Sequence, residues 1–339
     1  MRHSAAWRYL QMRIPCGEGI ERQSDKATRF HRPSRRHSYD VAMRLARAGE
    51  LVRALADAVF QTGETMSAFI CSACGTQYPP SDAPPAQCPV CEDERQYIPP
   101  EGQSWTTLER LRISHHNGFR QYEPGLIGIG TQPKFAIGQR ALLLCTPEGN
   151  ILWDCISLID DATITLINGL GGLHAIAISH PHFYTTLVEW SRAFGDVPVH
   201  LHANDAKWVR QPDRCIKFWQ GERFELLKGV TLIHGGGHFP GGSMLHWAAG
   251  AEGKGVVCSA DIAIVNLDRN SFAFMRSIPN HIPLSEKAVR AIGAALMPLA
   301  FDRVYSHHFE RVMHSGAKQI LQSSVERYAA AIGGAYDRA

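Results

Sequence analysis

With 339 residues, 45% of them hydrophobic and 20% charged, the chain can bury a large core and still supply a second, small domain. Its formal charge of +3 is unevenly placed: residues 1–66 carry twelve Lys/Arg against seven Asp/Glu, and the remainder 23 against 25. A main body so close to neutral argues against a nucleic-acid partner, and no apolar run approaches the ~20 residues of a membrane span.

In chain order, residues 1–37 are rich in Arg, His and Ser and show no sustained periodicity. Val41, Leu45, Leu51, Leu55 and Val59 fall near helical spacing and predict a short amphipathic helix over Tyr39 to Phe60. Met66 directly precedes the first organised motif. Residues 1–65 therefore read as a basic extension, disordered or outside the native product, with a targeting segment as the alternative. That stretch lacks the compact apolar core of a signal peptide, and a cytoplasmic location is expected.

The next segment, 66–97, holds Cys71-Ser72-Ala73-Cys74 and, thirteen residues later, Cys88-Pro89-Val90-Cys91. Each pair turns two thiolates toward one point, and Cys71, Cys74, Cys88 and Cys91 together complete a tetrahedral shell for Zn2+. The Pro-rich insert between them is too small to make an apolar core, so metal binding supplies its folding energy. The pattern resembles rubredoxin-like zinc ribbons, and iron used for electron transfer is the alternative to structural zinc. The other five cysteines (Cys16, Cys145, Cys155, Cys215, Cys258) are scattered and read as reduced thiols.

Residues 98–120 read as a connector with a helix near Thr106 to Ile113, and His115-His116 as solvent-facing or at a pocket rim. The main domain, 121–339, alternates β-rich and α stretches. Strands are expected at Leu126 to Gly130, Phe135 to Cys145, Ile151 to Ser157, Leu173 to Ile178, Val197 to His202, Ile216 to Trp219, Phe224 to Leu227, Val230 to His234, Met244 to Ala248, Val256 to Ser259 and Arg303 to Ser306. Helices are expected at Ala162 to Leu170, Thr186 to Phe194, Ser285 to Leu299 and Lys318 to Ile332, with a short one at Asp205 to Val209.

Chemistry-bearing residues gather where these strands end. Leu173 to Ile178 runs into Ser179-His180-Pro181-His182, and two imidazoles so spaced can converge on one ion. Val230 to His234 opens into Gly235-Gly236-Gly237-His238-Phe239-Pro240-Gly241-Gly242, which lacks the lysine of a phosphate-binding loop. Val256 to Ser259 leads to Asp261, and Arg303 to Ser306 to His307-His308. His234 reads as a brace for the glycine loop, and His200 and His202 as core or pocket lining.

Ser-His-Pro-His, Gly-His-Phe-Pro-Gly-Gly, Ser-Ala-Asp and a late strand-end histidine, in this order, resemble the metallo-β-lactamase superfamily over about residues 120–335. The resemblance implies an α/β fold, the αββα metallo-β-lactamase sandwich, with a metal site at one edge and here a small zinc ribbon in front. It implies His180, His182 and His238 as ligands of one metal, Asp261 as a bridging ligand, His308 in preference to His307 as the last histidine, and Asp154 as a strand-end buttress. The superfamily's first motif, H-x-H-x-D-H, is broken: Tyr184 and Thr185 stand where it has Asp and His. A second metal would keep only Asp261 and one histidine, so a single catalytic Zn2+ or Fe2+ is expected.

The function so implied is hydrolysis of a small ester, thioester, amide or lactone by a metal-bound hydroxide, with Asp261 orienting the water, Tyr184 donating to the oxyanion and His308 protonating the leaving group. Alternatives are a mononuclear iron oxygenase of the persulfide dioxygenase type, using His180, His238 and Asp261, and a binding protein with a decayed site. A small molecule is the expected partner; assembly into a homo-oligomer is compatible with the sequence.

Overall fold

The computed structural model describes residues 66–337; the helix expected over Tyr39 to Phe60 and the reading of residues 1–65 lie outside them. The described chain opens with β1 (Ser67–Cys71), β2 (Gln77–Ser81), helix α1 (Pro89–Glu92) and β3 (Trp105–Thr106), the strands ordered β2-β1-β3. Helix α2 (Leu108–Ser114) follows, its Thr107 side chain capping Arg110 N. Then come β4 (His116–Glu123), β5 (Leu126–Gln132), β6 (Ala141–Thr146), β7 (Gly149–Trp153), helix α3 (Asp161–Gly169), β8 (Ala175–Ala177), helix α4 (Leu187–Ala193), β9 (Val199–His202) and β10 (Ile216–Trp219). These seven strands form one sheet in the order β10-β9-β8-β7-β6-β5-β4.

The second sheet takes β11 (Arg223–Leu227), β12 (Val230–His234), β13 (Ser243–Trp247), β14 (Val256–Ala260), β19 (Arg303–Ser306) and β20 (Val312–Met313). Two short ribbons, β15 (Ile264–Val265) with β16 (Phe272–Ala273) and β17 (Met275–Ser277) with β18 (Ile282–Pro283), lie between β14 and helix α5 (Glu286–Leu296); helix α6 (Ala317–Ile332) closes the described chain.

Period-two alternation decides the layering. Leu142, Leu144, Ile151, Trp153, Ala175 and Ala177 of the first sheet pack with Val230, Leu232, Leu245, Val256, Cys258 and Tyr305 of the second. The intervening residues face outward and are also buried: Leu143, Leu152 and Ile176 pack with Ile167 of α3 and Val188 and Trp190 of α4. On the other side Ile233, Met244, Val257 and Val304 pack with Val289, Ile292 and Leu296 of α5 and Leu321 and Val325 of α6. Strands covered on both faces read as near-continuous apolar runs, and the result is the expected αββα sandwich.

Two expectations are corrected. Residues 116–120, read as connector, belong to β4, the edge strand of the first sheet, paired antiparallel with β5 from His116↔Gln132 onward. Its exposed polar residues (His116, Arg120, Gln121) suit an edge that faces water and conceal the strand from a hydropathy reading. The strand expected over Phe135 to Cys145 begins only at Ala141; residues 133–140 form a loop that reaches the metal edge.

The cysteine ribbon packs against the sandwich in one compact unit. Ser157 Oγ donates to the Gly75 carbonyl at 3.0 Å, and Gln77 N donates to the Thr185 carbonyl at 3.0 Å. Gly75 has φ +83°, and a Cβ there would run into Ser157 Oγ. We expect Gly75→Ala to destabilise the protein by about 2 kcal/mol through left-handed strain and the lost Ser157 bond, read as a lowered midpoint in urea; an unchanged midpoint would show that the knuckle does not need this close approach. Among the described residues no helix is long and apolar enough to cross a membrane.

Candidate metal centre

The four cysteines of the ribbon are buried, and their sulfurs stand in two contacts of 3.6 Å, Cys71 to Cys91 and Cys74 to Cys88. Gln103 Nε2 donates to Cys71 Sγ at 3.0 Å and Tyr78 Oη to Cys88 Sγ at 3.2 Å, which favours thiolates there. Hydrogen bonding from Cys74 holds the Cys71 thiol far below its usual range. The set offers one donor atom each within 4.8 Å, the arrangement a tetrahedral structural metal requires.

The second centre lies where strands of both sheets end. β8 stops at Ala177, and His180 follows three residues later. A single 3-10 turn, Pro181–Phe183, then carries His182; Pro181 at its first position supplies the fixed φ that starts it. His238 sits in the glycine loop, folded back by Gly235 and Gly236 N–H bonds to the Gly242 carbonyl at 2.9 and 2.8 Å. Asp261 follows β14.

His180 Nε2 lies 3.3 Å and His238 Nε2 3.8 Å from Asp261 Oδ2, and His238 Nε2 is 3.4 Å from His182 Nδ1. One donor from each of the four residues fits within 4.8 Å. The far side of each group is braced. Ser179 Oγ contacts His180 Nδ1 at 2.9 Å, His238 Nδ1 donates to the Met275 carbonyl at 3.0 Å, and Gln139 Nε2 donates to Asp261 Oδ2 at 3.3 Å. Such partners fix tautomer and ring orientation at metal sites. Asp154, with φ +65° at the end of β7, accepts from Ser179 N at 2.7 Å and so steadies the residue before His180.

Burial and the neighbouring imidazole of His180 push His182 far below its usual range and His238 down to about 3, so both are neutral near pH 7. Burial alone would raise Asp261; His307, His180 and His238 outweigh it and hold the carboxyl well below the usual range. An ionised carboxylate among neutral imidazoles leaves a buried negative charge. His180 Nε2, His182 Nε2 and Asp261 Oδ1 are buried without a hydrogen-bond partner among the described residues. Orphaned donor atoms of this kind around one point fit a divalent cation.

The other expected site residues fall differently. His307 Nδ1 approaches Asp261 Oδ1 at 3.1 Å, whereas His308 stands behind it, ring centroids 4.4 Å apart. The preference for His308 over His307 as the strand-end histidine nearest the carboxylate is therefore reversed, because β19 ends at Ser306 and the next residue is the one that turns inward. Both histidines still line the cavity beside the centre. Tyr184 does not: it is 4% exposed, packs in the outer core of the first sheet and lies with Thr185 beside Thr76 and Gln77 of the ribbon. No oxyanion donation can come from it. His234 braces the glycine loop as expected, with Nε2 on the Pro240 carbonyl at 2.8 Å, and stacks on His202 at 4.2 Å.

The cavity measures about 350 Å³ and has two residues of the ribbon's first knuckle, Ser72 and Ala73, in its wall, together with Arg95 and Tyr97. Sequence reasoning missed these and also Gln139. No motif marked them, since they meet the histidines only through tertiary packing.

Two stacked sheets clothed by helices, with three imidazoles and a carboxylate converging at the strand ends, define a metallo-β-lactamase fold carrying a cysteine ribbon. The chain is 46% identical over 269 residues to "Uncharacterized protein YmaE" of Bacillus subtilis (strain 168), spanning 79% of this chain and 97% of that protein, and belongs to the same family. No protein-family model matches it. Among solved structures it is similar to VMB-1 (TM-score 0.47, 12% identity, 64% of this chain and 98% of that one) and to DIM-1 metallo-β-lactamase (0.45, 11%, 62% and 98%). A Cronobacter sakazakii metallo-β-lactamase with a HARLDQ motif is similar at 0.43, with 19% identity over 64% of this chain and 93% of that one.

We expect elemental analysis to find two metal ions per chain, falling to one in His180→Ala/His238→Ala with the thiolate-bound ion kept; two ions in the double variant would place the second elsewhere. Asp154 gives a pH test. Burial lifts its carboxyl to about 7, against the pull of His180 and Ser179. The native state then holds a proton that the unfolded chain has released, so stability falls as pH rises from about 4 through 7. Asp154→Asn should stabilise the metal-free protein at pH 8 by up to about 4 kcal/mol and leave it unchanged near pH 3.5. Equal urea midpoints for the two proteins at pH 8 would refute it.

Proposed function

We propose that the chain is a metal-dependent hydrolase of small carbonyl substrates, working with one cation held by His180, His182, His238 and Asp261. The observation that carries this reading is the convergence of these buried donors, of which His182, His238 and Asp261 line a cavity of about 350 Å³, a size typical of small-molecule sites. The single-metal reading is supported by Tyr184 and Thr185, which face the ribbon and leave a second ion only Asp261 and His307. When bound, such an ion supplies Lewis acidity and brings the pKa of a coordinated water to about 7.

The chain's own residues do the rest. Asp261, whose Oδ1 meets His307 Nδ1 at 3.1 Å, stays ionised and orients the attacking water. His308, lining the same cavity, returns a proton to the leaving group. Gln139 holds Asp261 in orientation through Oδ2. Ala136, Ile137, Pro99 and Ile278 supply apolar wall that excludes bulk water.

The test is a panel of small esters, thioesters, lactones and amides offered to the zinc-loaded chain. We expect turnover of at least one class, lost by on the order of a hundredfold or more in His238→Ala and reduced about ten- to a hundredfold in His308→Ala. A chain that loads zinc fully and hydrolyses none of them overturns the reading. Loading with iron and oxygen uptake would favour the oxygenase instead, since His180, His238 and Asp261 also form a two-histidine, one-carboxylate set.

A further inference from the structure

We propose that Arg95, on the ribbon, is a positioning residue of the histidine centre, which makes the ribbon a working wall of that centre; the inference rests on the reading of His180, His182, His238 and Asp261 as a metal site. Arg95 Nε donates to the His238 carbonyl at 2.7 Å across 143 residues of sequence. Its guanidinium carbon stands 4.5 Å from the centroid of the Phe239 ring, and Asp93 Oδ1 holds Nη1 at 2.6 Å. The Arg95 side chain is only 9% exposed, so water competes little for these bonds. A charged donor on a peptide carbonyl is stronger than a neutral one, and the ring contact adds a second point of fixation.

Phe239 carries the constraint further. Its ring stands edge-on to His182 at 5.0 Å and lies against His180 at 5.6 Å. The imidazole of His238 is held from its other end by Met275, first residue of β17, through Nδ1. That ribbon is fastened to the same ribbon turn: Arg276 Nε donates to Glu94 Oε1 at 2.5 Å, and Asn280 Nδ2 donates to the carbonyls of Glu94 at 2.9 Å and Gln96 at 3.3 Å. Residues 93–96 therefore govern both the main chain and the ring of His238. They begin two positions after Cys91, so the four-cysteine cluster orders the segment that orders the histidine.

Cobalt(II) titration of the full chain tests this, because thiolate-bound and imidazole-bound cobalt absorb in different regions. We expect Arg95→Ala to weaken cobalt binding at the histidine centre about ten- to a hundredfold and to shift its visible bands. The thiolate charge-transfer band should stay as in wild type, and Arg95→Lys should recover part of the loss. Unchanged affinity and bands in Arg95→Ala overturn the proposal. If that variant does not fold, Asp93→Ala, which removes the acceptor shared by Arg95 Nη1 and Arg95 N, must weaken the histidine centre in the same direction, and no effect there overturns it equally. A wild-type chain that binds cobalt only at the thiolates would instead remove the underlying metal reading, and this proposal with it.

Discussion

An ionised carboxylate buried among neutral imidazoles is the arrangement on which the rest of this molecule depends. Burial at 2% exposure raises the cost of Asp261's charge, and His307 and His238, which help to offset it, are themselves driven toward neutrality by the same burial. A cluster of this kind holds its geometry only if every outward-facing atom is occupied. Ser179, the Met275 carbonyl and Gln139 do so for His180, His238 and Asp261 in turn. Each comes from a different element, which is why two sheets, a hairpin and a loop all terminate at this edge.

The break in the first motif acquires a physical meaning from the ribbon. Thr185 offers its carbonyl to Gln77 N, and Tyr184 is sealed into the core beneath the same strand. A carboxylate and an imidazole at these two positions would need a solvated or metal-lined space to face. Here that space is taken by protein. In this chain the short turn at Tyr184 and Thr185 is used to dock the ribbon.

Much of this was legible in the sequence because its signals are local. The cysteine pairs, Ser-His-Pro-His and the glycine loop each fall within a few residues, and buried strands announce themselves by apolar runs such as Val230 to Ile233. What was illegible depended on distant packing or on a single turn of the backbone. β4 is polar because it is an edge, so hydropathy could not reveal it. The choice between His307 and His308 hangs on where β19 ends, a one-residue matter that periodicity does not resolve. Arg95 and Gln139 carry no motif at all; only the fold brings them to histidines and an aspartate more than a hundred positions away.

The ribbon's own physics shapes how the two centres relate. Its insert holds Pro79, Pro80, Pro84 and Pro85 and has few apolar side chains, so order in this segment comes from thiolate coordination more than from a core. Yet Ser72, Ala73 and Arg95 to Tyr97 stand in the cavity wall. With a metal on the cysteines and another on the histidines, such a shared wall would make the two binding equilibria coupled rather than additive. Reciprocity then requires that filling the histidine centre, by fixing His238 and through it Arg95, should in turn strengthen the hold of the cysteines on their own ion.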